Sequence, residues 1–476
     1  MNKFSDFLTN ALRIVILVAV GILIATSIGI TTKLSGDEFT NKFFAFEVGI
    51  IIIGSIIIFS NMRHKHKIWL LLLMALGLRL SWILSINTMP VSDFQTMYEN
   101  ANIILSGDLS ELKGYSYLAR FPHLIPMTFY IAGMIKLFPI HNLIAMKLLN
   151  VVYGCVSLYL LYKLLDGFVK SERNKLFIIL IGAVFPPFIT YTSVLCTENI
   201  AIPLYLLTLL MFYKARNINS PKYFIIVGGI LAISNLFRGV AIVFLIAFSI
   251  YLLLCTDKNK FVNIGSTILG YIIITVGISG ILLKADIIER PLWNGAEPSS
   301  VTLLLKGTNF ESNGMWNLDD ADFIDEHLRD DDLVNQCLDK VKERILSKTP
   351  KELFIFYAKK FGSQWAVGDC SGTYWAYTGA NIYIQSVLPI TFQYTYMLIL
   401  IFAFLTLLKK GEKNNILLNI ILFGFGLLFI IIETQPRYSY IVSWIFLILA
   451  TQGIEFFLDL IKKVKASGHE IKKRFN

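Results

Sequence analysis

Residues 68–94 read IWLLLLMALGLRLSWILSI and then NTMPVSDF, and that transition decides the fold. The apolar part, Ile68 to Ile86, is long enough as a helix to cross a hydrocarbon core of roughly 30 Å. Asp93 therefore falls within about two helical turns of the bilayer surface, in a stretch that continues through Tyr98 to Leu105-Ser106-Gly107-Asp108. Ionisable groups are costly to hold at that depth and are often functional. A solvated loop or helix-cap aspartate is the bland reading of the same residue.

The rest of the chain repeats this pattern. Of 476 residues, 55% are hydrophobic and 16% charged, and the mean hydropathy of +0.64 places the protein among integral membrane proteins rather than soluble ones. The first apolar run, Ala11 to Thr31, follows Lys3 and Arg13 but shows no small-residue cleavage site, so it reads as a retained helix. Thirteen apolar segments can be counted, at 11–31, 45–60, 68–87, 122–138, 143–162, 176–195, 199–213, 223–237, 239–254, 261–283, 383–408, 415–432 and 439–460.

Basic residues cluster in the connections Met62–Lys67, Lys163–Lys175, Lys214–Lys222, Asp257–Lys260 and Lys409–Lys413, and in the tail Lys462–Asn476. The positive-inside rule puts all of them in the cytoplasm, and the net charge of +10 then reflects contact with anionic membrane lipids, not nucleic acid. Thirteen crossings would place the basic N-terminal segments and the basic tail on opposite sides. Twelve crossings, with Pro122–Phe138 re-entrant or interfacial, put every basic loop and both termini inside. That segment is short, has Pro122 and Pro126 in its first turns and stops at Pro139. The alternative is that it crosses and another short segment, such as 223–237, does not. The expectation is an all-α polytopic membrane protein of about 12 crossing helices plus one re-entrant or interfacial helix.

The expected domains are an N-terminal transmembrane bundle (1–283) with an external loop at 88–121, a small external soluble domain (284–382), C-terminal transmembrane helices (383–461) and the basic tail (462–476). The region 284–382 has no apolar span but carries turn formers such as Pro291, Asn294-Gly295 and Asn313-Gly314. Within it, Asp319 to Lys348 has the periodicity of one amphipathic helix ended by Pro350, and Asp330-Asp331-Asp332 reads as its solvated face. Tyr374-Trp375-Ala376-Tyr377 fits an interfacial aromatic belt better than a sugar-stacking platform. Cys337 and Cys370 are available for one disulfide that nothing in their spacing demands. No Cys/His zinc spacing, Gly-rich nucleotide loop or internal repeat is evident.

Ser92-Asp93-Phe94, Tyr98, Ala101, Leu105-Ser106-Gly107-Asp108 and Arg120-Phe121-Pro122-His123-Leu124-Ile125-Pro126 together resemble the first external loop of GT-C glycosyltransferases. The branch most similar contains the protein O-mannosyltransferases and lipid A aminoarabinose transferases. Pro186-Pro187 to Thr197-Glu198-Asn199, Asn235-Leu236-Phe237-Arg238-Gly239 and Glu433-Thr434-Gln435-Pro436-Arg437-Tyr438 extend the likeness. Two extra helices precede the Asp93 loop, and Arg120-Phe121-Pro122-His123 stands where some relatives carry an acidic residue and paired prolines, which bears on metal binding.

The resemblance implies transfer of a sugar from a polyprenyl-phosphate carrier to a glycan, lipid or protein acceptor at the external face of the cell membrane. The residues fit that chemistry on their own terms. A hydroxyl attacking an anomeric carbon needs a base, and Asp93 is the best-placed carboxylate. The leaving lipid phosphate needs cations, and Arg437 and Arg238 sit at external helix ends, with Tyr438 beside them. Glu198 is positioned to orient the acceptor, assist Asp93 or hold a divalent cation, the one cofactor in view. Arg120, His123 and Tyr98 are expected to contact substrate. A transporter or flippase of lipid-linked saccharides is the competing class, against which stand the absence of pseudo-symmetric halves and the large one-sided domain.

Overall fold

In the computed structural model every one of those thirteen apolar segments is helical. The structure describes residues 3–33, 38–256, 258–376, 382–409 and 413–475, and among these no strand occurs. Tyr377 and parts of the Asp257–Lys260 and Lys409–Lys413 connections lie outside the described residues, as do the side chains of the tail beyond Val464.

The chain opens with α1 (Lys3–Thr31), α2 (Glu38–Phe59) and α3 (His64–Ser85), followed by α4 (Asp93–Leu105), a short α5 (Tyr117–Arg120) and α6 (Ile125–Leu137). Next come α7 (Asn142–Leu164), α8 (Glu172–Val184), α9 (Pro187–Thr190), α10 (Glu198–Ile218), α11 (Pro221–Phe237), α12 (Ala241–Cys255) and α13 (Lys260–Lys284). A group of shorter helices follows: α14 (Ser299–Gly307), α15 (Leu318–His327), α16 (Leu333–Leu346), α17 (Pro350–Trp365) and α18 (Gly372–Ala376). The chain closes with α19 (Ile382–Leu408), α20 (Ile416–Ile431) and α21 (Trp444–Phe475). Among the described residues, seven helices are long and apolar enough to cross a membrane, and α8 with residues 187–193 makes an eighth candidate bent by 63°; α11, α12 and α20 are shorter apolar helices. Their outward faces carry exposed apolar residues such as Ile56, Leu73 and Phe261, the surface expected where lipid replaces water.

The bend between α8 and α9 has a specific cause. Pro186 and Pro187 end the hydrogen-bond ladder, which leaves carbonyls of α8 without helical donors. Arg79, fully buried in the middle of α3, donates to Gly182 O at 2.9 Å and reaches Ala183 O at 3.5 Å. A helix C-terminus is the negative end of its dipole, so this guanidinium is compensated by peptide carbonyls rather than by a carboxylate. Close approach matters elsewhere: a Cβ on Gly228 would overlap the Thr267 backbone, and one on Gly270 would overlap Ile225, so glycine lets α11 and α13 touch.

Contacts fix the helix directions. His64 Nε2 pairs with Tyr162 Oη at 2.8 Å, and Lys147 Nζ donates to Thr88 O at 2.7 Å, so α7 runs antiparallel to α3 and starts where α3 ends. Tyr98 of α4 donates to Asn142 at that same level, at 2.8 Å. The segments on either side of α6, α5 through Tyr117 and α7 through Asn142, therefore both contact α4, the helix that begins with Asp93. Arg13 to Leu407 O (2.6 Å) and Gln393 to Ser27 (3.0 Å) likewise set α1 antiparallel to α19. The basic connections gather at the opposite end, tied by Asn414 to Gly167 O (2.8 Å), Gln452 to Phe168 O (3.3 Å) and Asn263 to Asn219 (2.9 Å).

The short helices cover the Asp93 end. Leu305, Ile324, Leu333, Cys337 and Val341 form a small core of their own between α14, α15 and α16. The single amphipathic helix expected over 319–348 is in fact two, broken between His327 and Leu333, which puts Asp330-Asp331-Asp332 in the turn. Each half turns its apolar face onto α14, and Arg344 clamps them through Asp320 (2.5 Å) and Leu305 O (2.8 Å). Cys337 and Cys370 are free thiols. This layer docks on the end of α20: Lys360 donates to Gly307 O (2.6 Å), Thr434 N to Gly314 O (2.7 Å), and the Gln364 amide bonds Gln435 O and Gln435 N at 2.6 and 3.1 Å.

Candidate active site

The loop between α20 and α21 is thus held from above by Gln364, and it delivers Arg437 to the centre of the site. Arg437 is buried and lies between carboxylates: Nη2 is 3.7 Å from Asp93 Oδ2, and Nε is 3.8 Å from Glu198 Oε1. Its guanidinium also stacks on Phe94, Trp375 and Tyr438, with ring centroids at 5.0, 5.1 and 5.8 Å. Among the described residues Arg437 Nε and Nη1 have no hydrogen-bond partner, so the cation is held there by charge and rings rather than by a closed set of hydrogen bonds.

Asp93 stands at the first position of α4, where the helix dipole favours a carboxylate. The residue before it, Ser92, adopts φ 51°, a left-handed conformation that a serine holds only under constraint from its surroundings. Tyr117 of α5 donates its hydroxyl to Asp93 Oδ1 at 2.6 Å. Burial and the Asp93 charge raise the Tyr117 phenol above its ordinary value, which keeps it a proton donor in this pair. The Asp93 side chain remains 37% exposed.

Glu198, at the start of α10, is the contrasting carboxylate. It is 1% exposed, with Arg238 Nη1 at 3.5 Å, Arg437 at 3.8 Å and the Thr197 hydroxyl at 3.1 Å. Burial alone would raise its pKa, but Arg238 and Arg437 outweigh that and hold it below the usual carboxylate range. Arg238 caps the C-terminal end of α11, stacks on Tyr438 at 4.9 Å and keeps a partly exposed side chain. Tyr438 in turn donates towards Glu433 at 3.4 Å, a buried carboxyl pushed up by its burial.

His123 is exposed to solvent and meets the Phe121 ring edge-on at 6.3 Å. Desolvation by the surrounding protein, followed by the Arg238 charge, pushes its pKa down to about 4, so the imidazole is neutral at physiological pH. Asp93, Glu198, Arg238, Arg437, Tyr438 and His123, the expected site residues, thus share one electrostatic cluster. Arg120 and Tyr98 do not join it. The Arg120 guanidinium is engaged by Glu297 (2.7 Å) and Asp325 (2.6 Å), fastening the Asp93 loop to the covering layer, and Tyr98 points to Asn142. Tyr117 and Trp375 are additions that the sequence did not single out as site residues. Trp375 meets Phe94 edge-on at 5.5 Å and lies against Arg437, so it belongs to the site's wall rather than to an interfacial belt.

Among the described residues no group of three or more His, Cys, Asp and Glu side chains could hold a metal ion. Glu198, the carboxylate considered for a divalent cation, is flanked by two guanidiniums that would repel one, so these residues do not fit a resident metal.

Residues 122–283 match the family model described as dolichyl-phosphate-mannose-protein mannosyltransferase, a stretch that holds Glu198 and Arg238. No curated protein matches the chain significantly. Fold, charged cluster and family match together define a multi-pass membrane glycosyltransferase. Over those residues the chain is similar to this GT-C family, in which the sugar comes from a lipid-linked phosphate donor.

Proposed function

We propose that the protein moves a sugar from a polyprenyl-phosphate carrier to a hydroxyl on a glycan, lipid or protein acceptor at the external surface of the membrane, with Asp93 as general base. The observation that carries this reading is the pairing of unlike carboxylates around Arg437, one accessible and one sealed. The acceptor hydroxyl gives its proton to Asp93 as its oxygen bonds the anomeric carbon. The bond from that carbon to the phosphate oxygen breaks, and the phosphate leaves with the electron pair. Its growing charge is met by Arg238, the more accessible cation, with Arg437 behind it. Glu198 acts as the buried counter-ion that keeps both arginines in place. Tyr117 fixes the Asp93 carboxylate and leaves Oδ2 free of hydrogen bonds to protein hydroxyls.

The sidedness belongs to the same proposal. The contacts of α5 and of the start of α7 with α4 support twelve crossings with residues 125–137 as the non-crossing element. The collection of basic connections at the other end supports a cytoplasmic location for both termini. Residues 284–382 then form an external domain over the site, between the 1–283 bundle and the 383–461 helices, and 462–476 is a cytoplasmic tail. The test is incubation of purified protein with a polyprenyl-phosphate sugar labelled in the sugar. Release or transfer of the label supports this reading, whereas passage of intact donor across a proteoliposome membrane without bond cleavage contradicts it.

A further inference from the structure

Tyr98 lies five residues beyond Asp93, which puts it about 140° around α4 from the catalytic side. On that other face, the end of α3, α4 and the start of α7 enclose a cavity of about 400 Å³. Its floor is polar, with Tyr98, Asn142, His141 and Lys147; its rim carries Leu84 and Ile140, which are 73% and 86% exposed. No Asp or Glu lines it. Lys147 is only 5% exposed, and its ammonium donates to the Thr88 carbonyl at 2.7 Å. Among the described residues it makes no ion pair, so the fold holds a buried cation whose charge is met by one carbonyl dipole.

Such a cation is costly unless an anion completes it. The level of the cavity narrows the choice. It sits where the apolar helix α3 ends, Leu84 at its rim continues the exposed apolar face of that helix, and its size suits a headgroup rather than a folded partner. We infer that this cavity seats a lipid-borne phosphate, with the phosphate on Lys147 and the tails running past Leu84. A bilayer phospholipid and a free polyprenyl monophosphate both present that group. Occupancy would brace the α6–α7 turn against α4, the helix that carries Asp93 at its other end.

The probes are phosphatidylglycerol, polyprenyl monophosphate and diacylglycerol, each titrated into delipidated full-length protein and counted as bound adducts by native mass spectrometry. Lys147→Met should weaken the phosphate lipids by about tenfold or more and leave diacylglycerol unchanged, while Lys147→Arg should retain most of the binding. Whichever phosphate lipid shows the Lys147-dependent loss is the occupant. Leu84→Trp, at an exposed position, narrows the mouth without touching the cation and should weaken the same lipid even if Lys147→Met fails to fold. Equal affinity for diacylglycerol and both phosphate lipids in the native protein overturns the inference, as does phosphate-lipid binding unchanged in both Lys147→Met and Leu84→Trp.

Discussion

At the scale of single residues, Arg437 shows why guanidinium chemistry matters here. It is flanked by two carboxylates and three aromatic rings, a setting that a planar, delocalised cation satisfies and a compact ammonium does not. Arg437→Lys keeps the charge but loses the stacking and the forked geometry. We expect the KM for donor to rise by about tenfold in a variant that stays monodisperse. Unchanged donor dependence would return Arg437 to a purely structural role. Asp93, Glu198, Arg238 and Arg437 were legible in the sequence because each stands where an apolar run stops, the one place a charge is readily accounted for. Arg120 and Tyr98 stand at equally suggestive positions, yet their partners decide otherwise. Glu297 is 177 residues from Arg120, and nothing local announces it. Tyr117 carries no local signal, and Trp375, which reads in sequence as part of an aromatic belt, is brought to Arg437 only by the fold.

At the scale of elements, the apolar runs predicted every long helix, since a backbone in hydrocarbon must satisfy its own hydrogen bonds. What the runs could not show is how helices break. The amphipathic period over 319–348 continues through the turn because both halves face α14, so periodicity alone cannot reveal the interruption. The α8–α9 bend was hidden for a different reason, as its stabilising partner, Arg79, lies on another helix. For α6 the prolines and short length pointed to a non-crossing element, and the Ile140 turn tests that directly. A membrane-impermeant maleimide should label Ile140→Cys from outside intact cells, at a side chain that is 86% exposed. Labelling confined to inverted vesicles would contradict the proposed topology. Ile140 is preferable to Asn142 for this purpose, because Asn142 is buried against Tyr98.

At the scale of the whole molecule, four distant segments converge on one cluster: the α3–α4 loop, the start of α10, the end of α11 and the α20–α21 loop. The covering layer of α14–α18 clamps the last of these through Gln364 and supplies Trp375. In the proposed mechanism this assembly lets Asp93 take a proton while the arginines receive a leaving phosphate. The most direct measurement compares sugar-transfer rate and donor affinity for native protein and Asp93→Asn in the same detergent preparation. Loss of a general base should lower the rate by about 10²-fold or more, with donor affinity and the folded, monodisperse state preserved. Near-normal transfer by Asp93→Asn would contradict the account.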